Sequence, residues 1–305
     1  MRRGDKRKKN RSKSRLLLGF FLLVLLIGAG MAFFAYQSLQ NALSGEELQS
    51  SKRVKDVSLQ KKETFTVLLL GVDEREGDVG RSDTMLFVSV NGEDNTAKML
   101  SIPRDTRVEI AGKGTEDKIN HAYAFGGVKM AVATVENFLD MPVDYYVEMN
   151  MEGMKEMVDA VGGVEVQNEF AFSSGSNHFA EGRITLSGSE ALNYVRMRME
   201  DPNGDFGRQA RQRQVMEGIL DKGNDPGIIL KFTDVMQAVG HNVQTNLSIR
   251  EMLDIQKNYA TARDHIETVT IEGRGTRIDD IYYYIVDDKE VSRVSNEFKE
   301  HLNLK

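Results

Sequence analysis

The chain contains no cysteine among its 305 residues, which excludes a disulfide, a thiolate nucleophile and a cysteine metal site. GxSxG, HExxH and the phosphate-loop pattern GxxxxGK[ST] are also missing, and with them the common serine-hydrolase, zinc-protease and NTPase chemistries. The five histidines (His121, His178, His241, His265 and His301) are scattered and read as structural or surface residues. No internal repeat or low-complexity tract occurs. Without disulfides, the 269 residues that follow residue 36 must hold together through a hydrophobic core, and they are numerous enough to do so as one domain. Absent cysteine also fits the outer face of a bacterial membrane.

What is present is unevenly distributed. Residues 1–15 carry nine basic side chains against one acid, Asp5, and residues 16–36 (LLLGFFLLVLLIGAGMAFFAY) carry no charge at all. A run of 21 is long enough to cross a hydrocarbon core of roughly 30 Å. It is longer than a cleaved signal core, and Phe33, Phe34 and Tyr36 stand where cleavage needs small residues. The expectation is a cytoplasmic basic tail (1–15), a signal anchor (16–36), a polar juxtamembrane spacer (37–62) and an extracellular domain (63–305), oriented by the positive-inside bias. Taking the tail's nine basic and one acidic residue from the whole-chain 40 and 46 leaves 31 against 45, a balance of −14. That polarity argues against nucleic-acid binding.

The domain opens at Thr64 with FTVLLLG, an apolar run of strand length that suggests burial on both faces. MLFVSV (85–90), KMLSI (98–102) and RVEI (107–110) are further strand candidates, the first two joined by the turn-rich NGEDNT. Helical spacing of Val128, Ala131, Val132, Val135, Phe138 and Leu139 predicts a helix over 126–140. DYYVEM (144–149) returns to strand, MEGMKEMVDAV is helical, and GGVEV reads as turn plus strand. Ser187 and Glu190 fit a capping box, and another helix is expected from about Gly207 to Lys222. The fold class is α/β, with a mostly internal sheet flanked by helices.

Three stretches could carry chemistry. In GVDEREGDVGRSDT (71–84), Asp73 and Asp83 flank a loop rich in glycine, so the chain can fold back and bring the two carboxylates together. Two carboxylates with phosphate oxygens and water suit Mg²⁺; composition alone favours a solvated acidic loop. In SIPRDT, Pro103 ends a strand and places Arg104 among loops, with Lys118 of KINHAY as a comparable basic residue. In ALNYVRMRMEDPNGDFGRQARQRQ (191–214), a helix starting near Gly207 puts Arg208, Arg211 and Gln212 on the side continued by Val215 and Ile219, with Arg213 turned away. Arginines in the first turn of a helix, beside free N–H groups, form an anion site; a solvated charged face is the alternative.

The ordered motifs GVDEREG…RSDTM, SIPRDT, KINHAY, AVGGVEV, LSGSEALNYVRMR and DFGRQARQRQ, spanning about residues 64–222, closely resemble the LytR–CpsA–Psr family of Gram-positive cell-wall assembly proteins. No motif position departs visibly from the family pattern. The resemblance implies a phosphotransferase that moves an anionic glycopolymer, such as wall teichoic acid, from undecaprenyl pyrophosphate to the muramic acid 6-hydroxyl of peptidoglycan. It implies an α/β sandwich enclosing an apolar pocket for the polyprenyl chain. By motif, Asp73 and Asp83 would hold Mg²⁺. Arg81, Arg104, Arg196, Arg198, Arg208 and Arg211 would bind the pyrophosphate, with Lys118 and Gln212 assisting. Asp73, Arg81, Asp83, Arg104, Arg198 and Arg208 form the implied catalytic set, in which Asp73 is open to a second role as proton acceptor. Two alternatives stand beside this: hydrolysis of the same carrier bond by water, and a non-catalytic membrane-anchored regulator.

Overall fold

The computed structural model describes residues 37, 40, 44–48, 50, 52, 53, 55–73, 80–197, 200–222, 240 and 242–304. The expected tail and anchor, 1–36, lie outside these residues. Among the described residues no helix is long and apolar enough to cross a membrane. Residues 43–305 form one compact unit.

The unit begins with a meander of β1 (Phe65–Val72), β2 (Ser82–Asn91) and β3 (Thr96–Ser101). A small hairpin of β4 (Arg107–Glu109) and β5 (Glu116–Lys118) follows, then α1 (His121–Leu139), β6 (Tyr145–Asn150) and α2 (Met151–Ala160). Next come β7 (Val164–Asn168), β8 (Phe172–Ser174), β9 (Asn177–Phe179), β10 (Gly182–Leu186), α3 (Gly188–Arg196) and α4 (Asp205–Lys222). The C-terminal part holds β11 (Val243–Thr245), α5 (Ile249–Tyr259), β12 (Ile266–Val269), β13 (Arg274–Ile278), β14 (Ile281–Ile285) and α6 (Asp288–His301).

Six strands form a mixed central sheet in the order β11-β6-β1-β2-β3-β12. β1 and β2 are antiparallel with Leu69 opposite Leu86, and β6 runs parallel to β1 with Val147 opposite Leu69. The β2–β3 turn is fixed locally: the Asn91 side-chain oxygen accepts from the backbone of Glu93 and Asp94, each at 3.0 Å, and Asn95 takes a left-handed φ of 54°. RVEI does not join this sheet, because Arg107–Glu109 pair with Glu116–Lys118 instead. The first long helix starts at His121, earlier than the predicted 126. Its periodic half begins after a break at Gly126 and Gly127, where Gly127 has φ 62°, a backbone that favours glycine.

The two faces of the sheet differ. Leu68, Leu70, Met85, Phe87 and Leu100 pack with α1 and α6 residues such as Val132, Val135, Val294 and Phe298 into the main core. On the other face Val67, Leu69, Val88 and Val147 are only half-buried. The continuous apolar run of β1 therefore reflects one fully packed face and one partly covered apolar face, rather than two packed faces. A second core, with Val158, Val164, Phe172, Tyr194, Val195 and Val215, joins α2, α3 and α4 to the β7–β10 strands.

The stretch expected as a spacer packs on the domain from residue 44 onward. Gly45 donates to the carbonyl of Thr245 at 2.9 Å, and the Arg53 guanidinium grips Asp144 at 2.7 and 2.5 Å. Leu59 inserts beside Phe65 and Tyr259. Its polar composition is that of a segment held by ion pairs and one buried leucine.

Candidate functional site

The β1–β2 connection brings the two predicted aspartates together. The carbonyl of Arg81 accepts from the backbone N–H of Asp73 at 3.2 Å and of Asp83 at 3.0 Å, closing the loop on itself. The register slips by one residue between Gly71 and Val72, and Gly71 meets Thr84 so closely that a Cβ there would lie 2.9 Å from the Thr84 Cβ. Asp73 and Asp83 then line one open cleft of about 640 Å³, with Asn150, Met151, Glu152, Val195, Arg196, Arg208 and Gln212. The cleft lies beyond the C-terminal ends of the parallel pair β1 and β6, where ligands of α/β sheets gather.

Asp83 is held from behind. Arg104 donates to its Oδ2 at 2.9 Å and Asn120 to its Oδ1 at 3.2 Å. Asp105 accepts from Lys118 at 2.6 Å and lies 3.7 Å from the Arg104 Nε. The resulting chain Lys118–Asp105–Arg104–Asp83 keeps alternating charges in contact, each side chain under a fifth exposed. Beside it His121 Nδ1 lies 2.9 Å from Asp117. Burial works to raise the Asp117 carboxyl, but the His121 hydrogen bond and the Lys118 backbone N–H outweigh it and hold the group below its ordinary range.

From the opposite wall come α3 and α4. The capping box is present: the Glu190 carboxylate accepts from the Ser187 hydroxyl at 2.7 Å and its backbone N–H at 2.8 Å, which lowers the acid's pKa and starts α3. Arg196 ends that helix, exposed, on the cleft. Helix α4 starts at Asp205, two residues before the expected Gly207, and Arg208 follows in its first turn. The predicted helix side is the one that turns inward: Arg211, Gln212 and Val215 are buried. Arg213 faces away and lies 3.8 Å from Glu217.

The predicted pyrophosphate residues therefore divide. Arg196, Arg208 and Gln212 line the cleft, and Arg104 adjoins it through Asp83. Lys118 stands one ion pair further back, Arg81 contributes its carbonyl while its side chain is exposed, and Arg198 lies outside the described residues. Arg211 differs from its expectation. Its side chain is 6% exposed, bonded to the Asp201 carboxylate, to the carbonyl of Met197 at 2.6 Å and to that of Tyr194 at 3.1 Å. Asp201 in turn accepts from the backbone of Asn203 at 2.7 Å. Arg211 thus ties the end of α3 and the DPNGD turn to α4 behind the cleft wall. Helical spacing identifies the inward side but does not separate a residue that lines the cleft from one a turn further in.

Two contributors were missed. Asn150 caps α2 by accepting from Gly153 N at 2.8 Å, and so aims the first turn of that helix at the cleft; the signal was an asparagine directly before MEGMKEM. Asn120 is 4% exposed, and its Oδ1 is buried without accepting a hydrogen bond from the described residues. Among the described residues no group of three or more His, Asp or Glu side chains could hold a metal by itself. The two carboxylates on the cleft, Asp73 and Asp83, are nonetheless hard oxygen donors, the kind Mg²⁺ takes when phosphate and water complete its shell. The donor set fits that ion.

An apolar slot of about 40 Å³ opens beside the cleft, lined by Leu69, Leu86, Val147, Met149, Met154 and Met216. Asn150, Met151 and Gln212 belong to both slot and cleft, so a narrow apolar passage meets a charged basin at one junction. Gln212 is 5% exposed there, and its Oε1 accepts no hydrogen bond from the described residues.

The chain is similar to known proteins over most of its length. The chain is 49% identical over 303 residues to the polyisoprenyl-teichoic acid–peptidoglycan teichoic acid transferase TagU of Bacillus subtilis strain 168, covering 98% of this chain and 99% of that protein. The crystal structure of B. subtilis TagU superposes with a TM-score of 0.67 at 50% identity, over 80% of this chain and 99% of that one. A structure of TagT bound to LIIa-WTA gives 0.72 at 34% identity, over 86% and 99%. The LytR_cpsA_psr family description matches residues 32–300, and the chain belongs to that family.

Proposed function

We propose that this protein transfers an anionic glycopolymer, of the wall teichoic acid type, from a polyprenyl pyrophosphate carrier to a peptidoglycan hydroxyl. The observation that carries the reading is the junction of slot and cleft. The apolar lining of the slot suits the start of a prenyl chain, and the arginine-bearing basin it meets suits the pyrophosphate attached to that chain. The relatives named as teichoic acid transferases share nearly the full length of the chain.

In this reading the prenyl chain lies along the half-buried face of β1, β2 and β6, under Met154 and Met216. Arg196 and Arg208 neutralise the phosphates from the ends of α3 and α4, and the first turn of α2 adds backbone dipoles. Gln212, at the junction, orients the phosphate nearest the lipid. Arg104 and Asn120 fix the Asp83 carboxylate, and Lys118 and Asp105 fix Arg104. Asp73 and Asp83 would hold Mg²⁺, which when bound would spread the negative charge of the reacting phosphates. The acceptor hydroxyl attacks the sugar-side phosphorus, the bond to the bridging oxygen breaks, and polyprenyl phosphate leaves. The hydroxyl proton passes to a cleft carboxylate or to water. Positioning and charge neutralisation suffice for such a step, which needs no Ser, Cys or His nucleophile.

We assign residues 16–36 as a single-pass anchor that keeps this domain outside the cell membrane, within reach of both lipid-linked donor and wall. The test is incubation of the full chain with a lipid-pyrophosphate-linked glycopolymer and peptidoglycan strands, with and without Mg²⁺. The expected products are polymer bound to peptidoglycan and an equal amount of polyprenyl phosphate, both lost on chelation. Donor left intact in the presence of metal contradicts the proposal.

A further inference from the structure

The hairpin of β13 and β14 carries exposed aromatic surface that the transfer reaction, as described, leaves unused. Its turn is Asp279–Asp280, both at left-handed φ (50° and 65°), and its register pairs Arg277 with Tyr282 and Gly275 with Tyr284. One face therefore carries Gly275, Arg277, Tyr282 and Tyr284, of which Tyr284 is buried, its hydroxyl donating to the carbonyl of Ile271 at 3.3 Å. Tyr282 is 40% exposed, and its ring crosses Gly275 so closely that a Cβ there would sit 2.7 Å from the Tyr282 hydroxyl oxygen. Tyr284 packs edge-on against Phe206 at 5.5 Å between centroids, and Phe206 is itself 48% exposed.

This face is joined to two segments that also carry cleft residues. The N–H of Tyr284 donates to the carbonyl of Asp105 at 2.8 Å, and Asp105 is the residue after Arg104. Phe206 stands two residues before Arg208, in the same helical turn. A polymeric acceptor presents one hydroxyl to the cleft while the rest of the strand must lie on the surface outside it. Flat rings edged by hydroxyl and guanidinium groups match a sugar ring, which is apolar on its face and polar at its rim. Arg277 complements the carboxylates of the peptide stems.

Resting on the transferase reading, we propose that the exposed rings of Phe206 and Tyr282, on either side of the buried Tyr284 and flanked by Arg277, form the docking platform for the glycan strand of the peptidoglycan acceptor. Strand binding is measured without donor, by saturation-transfer NMR on the full chain with soluble uncrosslinked peptidoglycan strands. Acceptor KM and donor KM are then measured separately. Tyr282→Ala and Phe206→Ala should weaken strand binding and raise acceptor KM roughly three- to tenfold. Donor KM and kcat at saturating acceptor should not change, and Tyr282→Phe should bind as the parent does. Thermal melts confirm that the variants fold; Tyr282 and Phe206 are exposed enough to be replaced. Unaltered binding by both folded alanine variants, or no strand binding by the parent, overturns the platform. A parent that binds strands but transfers nothing overturns the transferase reading and leaves the platform standing. In nanodiscs of phosphatidylglycerol, hydroxyl-radical labelling of Tyr282 should be suppressed by added strands; suppression by the lipid alone makes the surface a membrane contact and overturns the proposal.

Discussion

Replacing Arg211 by methionine separates a structural strut from a phosphate clamp. The substitution removes donors from the carbonyls of Tyr194 and Met197 and strands the Asp201 carboxylate, whose side chain is 1% exposed. Little room exists for that charge to rehydrate in place, because Asp201 lies hard against Gly207. Breaking a buried pair from one side costs about 3–5 kcal/mol, a large part of the roughly 5–15 kcal/mol that stabilises a domain. Urea unfolding of the full chain in mild detergent, followed by near-UV circular dichroism of its tyrosines, should show a loss of that size for Arg211→Met. Adding Asp201→Asn removes the stranded charge and should recover part of it, about 1–2 kcal/mol. At a temperature where the variant is folded, donor affinity should stay within roughly twofold of the parent. Wild-type stability with lost donor affinity would refute the reasoning and restore Arg211 to the clamp.

Other outcomes follow from the same geometry. Arg208→Ala should slow transfer about 10²–10³-fold with little change in melting temperature, since the loss falls on charge developing in the transition state; a stopped assay with lipid-linked donor checks it. Met216→Trp should fill the slot and weaken long-chain polyprenyl donors roughly tenfold, with short prenyl donors unaffected, as read by KM across a chain-length series. His301 lies between the hydroxyls of Ser89 and Thr96, at 2.7 and 2.9 Å, and burial, helped by Lys98, lowers its pKa below 6.5. Its stabilising contribution is whole above 6.5 and is lost as pH falls from there through the folded value. Unfolding free energy should therefore drop over that window in the parent and drop less in His301→Gln.

Much of the fold was legible because local chemistry enforces it. The capping box at Ser187 and Glu190, the Asn91 turn and the inward side of α4 are properties of a few neighbouring residues, and all three stand as the sequence implies. The sequence allowed Asp73 and Asp83 to come together but its composition favoured a solvated acidic loop, and it is the fold that puts both on one cleft. What was not legible depended on distant partners. RVEI has strand composition, but Glu116–Lys118, rather than the central sheet, supplies its partner. FTVLLLG looks the same whether its second face meets a packed core or an apolar slot. Asn120 carries no signal of its own until the chain places it against Asp83.

Transfer and hydrolysis share every contact in the cleft and differ in the oxygen that attacks. The most direct measurement is therefore the reaction run in ¹⁸O-water with full chain, Mg²⁺, lipid-pyrophosphate-linked glycopolymer and peptidoglycan strands, followed by mass spectrometry of the polymer-side phosphate. Transfer predicts a phosphodiester to peptidoglycan with no ¹⁸O, formed one-for-one with polyprenyl phosphate. A free polymer phosphate carrying ¹⁸O would contradict it.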